Sequence, residues 1–376
     1  MNKTLRYLII GLSLAAALFV ACSGDDKTNP VGPVYVGPIA AGKPAENLQQ
    51  FEGILADLRG KLNTPGISAA IVKNRKMVWA KGFGYANVEK KVTATPATCY
   101  HLASLTKTFA STIIMQLAEE GLLDLDDPVE KYGIELQSSG VVRVKHLFTH
   151  TSEGTPGAVF SYNGNRFGLL DQVIAGASGR TFCDLLVERI IKPLELNHTA
   201  PNLLASNNCL HTWPERVQFA EYLAQGYTSD GQNRQAYPDY FGVSAGLISS
   251  VEDVAKYSIA IDNNMFLREE TKTLVFSPTI SVNGQTLPYG LGWFVQNYRG
   301  VKLVWHYGYW TANSSLIIKV PERELAFVIL ANTDMLSRAF PMIGNGNISV
   351  SVVALEFLNA FVFGGAVLPD DAVVEF

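Results

Sequence analysis

The sequence predicts a mixed α/β (α+β) fold. An antiparallel sheet assembled from both chain ends packs against helices, and a helical subdomain spans about residues 105–235. Three observations predict it. A helical apolar stripe is followed directly by a hairpin pattern, the middle of the chain is helical, and strand character returns only late. A helix followed by antiparallel strands argues against a doubly wound sheet that begins with a βαβ unit. The 376 residues, 48% of them hydrophobic, are enough for one large domain or two ordinary ones and exclude a disordered chain.

Leu48, Phe51, Leu55, Leu58 and Leu62 recur at three- and four-residue steps, one apolar face of a helix beginning near Ala45 and stopped by Pro65-Gly66. Ile67–Val72 and Met77–Lys81 read as two strands around an Asn74-Arg75 turn. Thr106–Glu120 is a helix with Phe109, Ile113, Ile114 and Leu117 on one side, closed by Gly121. Leu169–Ala177 and Phe182–Ile191 are two more, parted by Ser178-Gly179. Val251–Ile261 is another, with Ser249 or Ser250 as its cap and Asp253 in the first turn. Strands follow at Leu291–Val295, Val301–Trp305, Ser314–Val320 and Leu325–Leu330, and Val352–Val362 reads as a closing helix.

The formal charge of −4 lacks the basic excess of a nucleic-acid binder, so no nucleic-acid partner is expected. Four cysteines are too few for a disulfide scaffold, and with neither a CxxC pair nor HExxH no metal site is expected. Lys3 and Arg6 precede an apolar run, Tyr7–Ala21, that is shorter than the ~20 residues of a spanning helix and has the length of a signal-peptide core. Residues 1–21 therefore read as a signal peptide. Phe19-Val20-Ala21-Cys22, followed by Ser23-Gly24-Asp25-Asp26, resembles the lipobox of bacterial lipoproteins. That resemblance implies lipidation at Cys22, a membrane partner through the acyl chains, and a place in the bacterial cell envelope, with Ser23 pointing to the outer membrane. Loss of Lys3 and Arg6 takes the charge to −6. Residues 22–44, with Pro30, Pro33, Pro38 and Pro44 among glycines, read as a flexible tether, leaving 45–376 as the catalytic domain. Cys99, Cys183 and Cys209 are odd in number and read as small buried side chains.

Three segments carry candidate chemistry. Ser104-Leu105-Thr106-Lys107 opens the predicted helix, where positions i and i+3 share a face. A serine hydroxyl needs an adjacent base, and a desolvated lysine serves as one. The helix N-terminus adds donors for a developing oxyanion. Taken alone, the same spacing also describes a surface cap followed by a solvated lysine. Phe160-Ser161-Tyr162-Asn163-Gly164 sits in a loop, where Tyr162 is either functional or a half-buried ring with its hydroxyl at the rim. His306-Tyr307-Gly308 ends a strand. His306 is either functional or a structural histidine, and Gly308 permits close approach of a substrate to the strand.

Together, and in this order, these segments resemble the serine β-lactamase and penicillin-binding-protein superfamily, most closely its class C branch. The resemblance runs over roughly residues 50–335. It includes Thr98-Cys99-Tyr100-His101-Leu102-Ala103 before Ser104, Glu119–Val129, His146-Leu147-Phe148-Thr149-His150-Thr151-Ser152, Pro193-Leu194-Glu195-Leu196, Ala245-Gly246-Leu247 with Asp253, and Leu330-Ala331-Asn332. It implies a transpeptidase-like fold and a cofactor-free serine hydrolase that forms an acyl-enzyme at Ser104. Lys107 and Tyr162 share proton transfer, with Tyr162 favoured as base. The backbone of Ser104 and Tyr309, beside Gly308, forms the oxyanion site. His306 takes the place of a lysine, orienting Tyr162 or binding a substrate carboxylate when protonated. The substrate class is a small molecule or a peptidoglycan-derived one: an ester, a D-amino-acid amide or peptide, or a β-lactam.

Two departures narrow this. Gly164 stands at the asparagine of the family's Tyr-x-Asn, where a lost amide donor costs discrimination, and His306 stands for lysine. Both favour an esterase or peptidase over an efficient β-lactamase. A catalytically weak binding or sensing lipoprotein of the same fold is the alternative, and Gly164 supports it. A rival nucleophile, Ser244 in Gly242-Val243-Ser244-Ala245-Gly246, fits the elbow of α/β-hydrolases. That elbow needs a buried strand before it and a helix directly after, and Pro238 and the late helix start at Ser249 or Ser250 argue for a loop.

Overall fold

The computed structural model describes residues 39–202 and 221–369. Helix α1 (Leu48–Lys61) starts where Asn47 caps it by accepting from Gln50 N–H, three residues after the predicted start. Strands β1 (Gly66–Lys73) and β2 (Lys76–Asn87) form the predicted hairpin, with Asn74 and Arg75 at φ 51° and 61°, as a tight two-residue turn requires. After β3 (Val92–Thr93) and β4 (Tyr100–His101) comes α2 (Thr106–Glu119), then the short helices α3 (Val144–Phe148), α4 (Gly164–Gly168), α5 (Leu170–Ser178) and α6 (Phe182–Leu186). Strands β5 (Ala200–Pro201) and β6 (Leu247–Ser249) lead to α7 (Val251–Asp262), which Ser250 caps through its hydroxyl, and α8 (Glu269–Val275). The chain closes through β7 (Phe294–Tyr298), β8 (Val301–Trp310), β9 (Asn313–Val320), β10 (Leu325–Ala331), α9 (Met335–Arg338) and α10 (Val352–Phe357).

Seven strands form one antiparallel sheet in the order β3-β2-β1-β10-β9-β8-β7, so both chain ends meet at the β1–β10 pair, as predicted. A smaller sheet, β4-β6-β5, lies beside the helical part. In β10, Ala326, Val328 and Leu330 face one core while Phe327, Ile329 and Ala331 face another. The sheet is thus covered on both faces, which is why β10 reads as an unbroken apolar run instead of alternating with polar residues. Phe51 of α1 anchors the second core, its ring 5.0 Å from Phe361 and 5.8 Å from Phe327. Helix α7 packs against the other face, on β1, β2 and β10.

Two expectations about the ends and cysteines change. The chain already packs before residue 45: Ile39 and Ala41 lie on the second core, and Gly42 N–H donates to the buried Glu356 at 2.7 Å. Cys99 is free and buried, whereas Cys183 is disulfide-bonded. Residues 1–38, with Cys22, and Cys209 lie outside the described residues.

Candidate active site

Ser104 sits in a tight turn, Ala103–Leu105, that runs into α2. Ala103 is held at φ 48°, a left-handed conformation that costs a non-glycine residue energy and persists only where surroundings over-determine it. The surroundings are visible. Leu102 N–H donates to the Leu247 carbonyl at 2.8 Å, Ser315 Oγ donates to the Leu102 carbonyl at 2.7 Å, and Thr106 Oγ1 donates to the Ala103 carbonyl at 2.7 Å. Ser104 itself is half-buried, while Ala103 and Leu105 on either side are buried.

One helical turn on, Lys107 is fully buried, and its Nζ donates to Ser104 Oγ at 3.0 Å and to the Ser244 carbonyl at 2.8 Å. Nζ lies over the rings of Tyr162 and Phe167, 5.3 and 5.2 Å from their centroids. The Tyr162 hydroxyl is buried without a well-aligned hydrogen bond. Burial first, then Tyr307, holds this phenol well above 10, and the facing Ser104 hydroxyl opposes them. The resting phenol is therefore protonated. The phenol and Lys107 Nζ thus both face Ser104 Oγ, Lys107 at 3.0 Å.

His306 is near, its ring 6.3 Å from that of Tyr162, but its hydrogen bonds go elsewhere. Nδ1 bonds the Tyr307 carbonyl at 2.7 Å and must carry the proton there, so Nε2, 2.8 Å from Tyr289 Oη, accepts. Burial, reinforced by the Lys107 charge, pushes the ring down to about 3. A neutral, fully buried imidazole does not bind a carboxylate as a cation, and its hydroxyl partner is Tyr289 in place of Tyr162. Both expected roles of His306 are corrected in this way.

Strand β7 pairs with β8 only as far as Trp305, so His306–Trp310 run on beside the Ser104 turn. A side chain at Gly308 would place its Cβ 2.1 Å from the Leu102 carbonyl oxygen. The glycine therefore permits close approach of the Ser104 turn to the strand. Tyr309 follows opposite Ser314 and is 41% exposed. Gly164 opens α4 directly after Asn163, whose side chain caps that helix and donates to Glu153 at 2.9 Å. Asn163 thus does not replace the missing amide.

Ser244 is not at an elbow. Gly242 and Ala245 exchange backbone hydrogen bonds across a tight turn, and Ser244 Oγ pairs with Tyr240 Oη at 3.0 Å. Its carbonyl serves the site by receiving Lys107. Two further residues escaped the sequence reading as site members. Tyr289 holds His306, and its signal was a tyrosine among closely spaced glycines ahead of β7. His150, at φ 55°, accepts from Asn163 N–H through Nδ1 at 3.1 Å and lies 4.3 Å from the Tyr162 ring. His101 stacks on Tyr237 at 4.0 Å, and His198 meets Tyr222 edge-on.

The Beta-lactamase family pattern matches residues 51–341. The chain belongs to the Beta-lactamase family. Members of this superfamily are mostly serine acyl-transferases and hydrolases. Among curated proteins, the chain is similar to Protein flp of Staphylococcus aureus strain MW2, 28% identical over 333 residues that cover 76% of this chain and 63% of that protein. It is also similar to Penicillin-binding protein 4* of Bacillus subtilis, 26% identical over 69% of this chain and 66% of that protein. The chain thus spans under two thirds of the length of these relatives. Among solved structures, the octameric penicillin-binding protein homologue from Pyrococcus abyssi is 27% identical with a TM-score of 0.70, covering 83% of this chain and 77% of that one.

Proposed function

We propose that this protein is a serine hydrolase that forms a covalent acyl-enzyme at Ser104 and favours esters or D-amino-acid amides and peptides over β-lactams. The observation that carries the reading is the 3.0 Å hydrogen bond between Lys107 Nζ and Ser104 Oγ at a strained, helix-capping turn. Ser104 Oγ attacks the substrate carbonyl as its proton passes to Lys107 Nζ, which takes part as the neutral amine. Backbone N–H groups of Ser104 and Tyr309 receive the developing oxyanion. Protonated Tyr162 is poised to deliver a proton to the leaving group, and a water then releases the acyl chain as an acid. Gly164 offers no amide to a substrate's acylamino group, which supports the substrate order given.

The same glycine favours a second reading, in which acylation occurs without turnover and the protein senses its ligand. A panel of p-nitrophenyl esters, D-alanyl peptides and nitrocefin separates the two. Burst release followed by steady hydrolysis supports the enzyme; a stoichiometric burst that stops supports the sensor. We further propose that Cys22 is lipidated and holds the protein at the cell envelope. Intact-mass analysis of the mature protein tests this, and an unmodified Cys22 would refute it.

A further inference from the structure

The Gly242–Gly246 segment delivers the Ser244 carbonyl to Lys107, yet it is a loop bounded by glycines, with Gly246 at φ 98°. Such a segment has little stiffness of its own. Asp171 in the first turn of α5 supports it from the helical part, its two carboxyl oxygens lying 3.2 and 3.3 Å from Val243 N and accepting its hydrogen. The fit is close. A Cβ on Gly242 would lie 2.5 Å from Asp171 Oδ2, so the absence of a side chain there lets the turn settle onto the carboxyl group. Resting on the serine-hydrolase reading above, we infer that Asp171 is a positioning residue for Lys107, acting through the Val243 N–H and the Ser244 carbonyl.

The connection is continuous. Asp171 fixes Val243, the reciprocal Gly242–Ala245 hydrogen bonds fix the turn, Ser244 presents its carbonyl, and Lys107 is held at 2.8 Å from that oxygen and 3.0 Å from Ser104 Oγ. Release of the turn frees the lysine to swing from the serine, and a misplacement of about 1 Å at a reacting group costs on the order of a hundredfold in rate. Asp171 touches no reacting atom. Neutral or ionised, its carboxyl keeps an oxygen that accepts from Val243, and so does an asparagine amide.

The test compares single-turnover acylation by p-nitrophenyl acetate, steady-state kcat and KM, and thermal unfolding for wild type, Asp171→Asn and Asp171→Ala. Asp334→Asn, which alters another buried carboxyl that holds Ser229 and Arg338 away from Lys107, is the control. The inference expects Asp171→Ala to slow acylation about a hundredfold at unchanged KM, Asp171→Asn to stay within threefold of wild type, and Asp334→Asn to acylate normally whatever it does to stability. Normal acylation by a folded Asp171→Ala overturns it, as does equal slowing in Asp171→Asn and Asp171→Ala. A wild-type protein that is never acylated at Ser104 overturns the underlying hydrolase reading instead, and the inference with it.

Discussion

Replacing Gly308 by alanine probes how tightly β8 is registered against the nucleophile turn. The added methyl carbon would sit 2.1 Å from the Leu102 carbonyl oxygen and 2.2 Å from Ser315 Oγ. Ordinary van der Waals contact needs at least 3.4 Å, so the strand and the turn must part by about 1 Å. Both obstacles belong to one hydrogen bond, Ser315 Oγ to the Leu102 carbonyl, and that bond cannot survive the separation. The turn has little slack, because Ala103 between Leu102 and Ser104 is already in a left-handed conformation. The stability cost is ~1–3 kcal/mol from overpacking plus about 1 kcal/mol for the lost bond. The kinetic cost is larger: a shift of about 1 Å between Ser104 and the Tyr309 backbone lowers acylation roughly a hundredfold. Stopped-flow acylation by p-nitrophenyl acetate, run beside thermal unfolding, reads both. Acylation within threefold of wild type, with unfolding unchanged, would refute the claim that this glycine sets the distance between strand and nucleophile.

Other consequences are open to measurement. Tyr289→Phe leaves His306 Nε2 buried without a donor and should cost about 1–3 kcal/mol in urea unfolding; a neutral result would show that another donor reaches that nitrogen. His101 and His306, pushed down to about 3, and His150, held well below its usual value, are all neutral mainly because they are buried. The unfolded chain binds protons on these rings near 6.5 and the native chain does not. Their contribution is therefore complete above pH 6.5 and is lost as pH falls, for His101 and His306 down to about 3 at about 1.4 kcal/mol per unit for each ring. Asp171 has the opposite sign: burial pushes it up to about 7, so the native state keeps a proton that the unfolded chain has released. Asp171→Asn should raise the unfolding midpoint at pH 8 more than at pH 5, and an equal change at both would contradict this. Gly164→Asn should raise nitrocefin turnover relative to ester turnover; an unchanged ratio would detach this position from substrate choice.

The sheet was legible because its signals are local. Asn74-Arg75 between two β-type runs specified a hairpin, and the run Leu325–Leu330 was apolar enough for burial on both faces. Strand ends were less so. Leu291 was predicted to begin a strand that starts at Phe294, since Tyr289–Trp293 instead form an irregular approach to the sheet. Ser104 and Lys107 were readable from spacing, which fixes two positions on one helix face. The state of Tyr162 and the tautomer of His306 were not. Both depend on burial and on partners that no local pattern encodes: Tyr307 beside Tyr162, and for His306 the Tyr289 hydroxyl together with the orientation of the adjoining Tyr307 carbonyl. Ser244 shows the converse. Its motif drew attention to the right loop for the wrong atom, because it is the backbone carbonyl, not the hydroxyl, that meets Lys107.

A fluorophosphonate probe followed by intact mass and peptide mapping addresses the acyl-enzyme itself. One adduct per chain, on the peptide carrying Ser104 and abolished by both Ser104→Ala and Lys107→Ala, is the predicted result. An adduct on Ser244, or full ester hydrolysis by the Ser104→Ala protein, would contradict it.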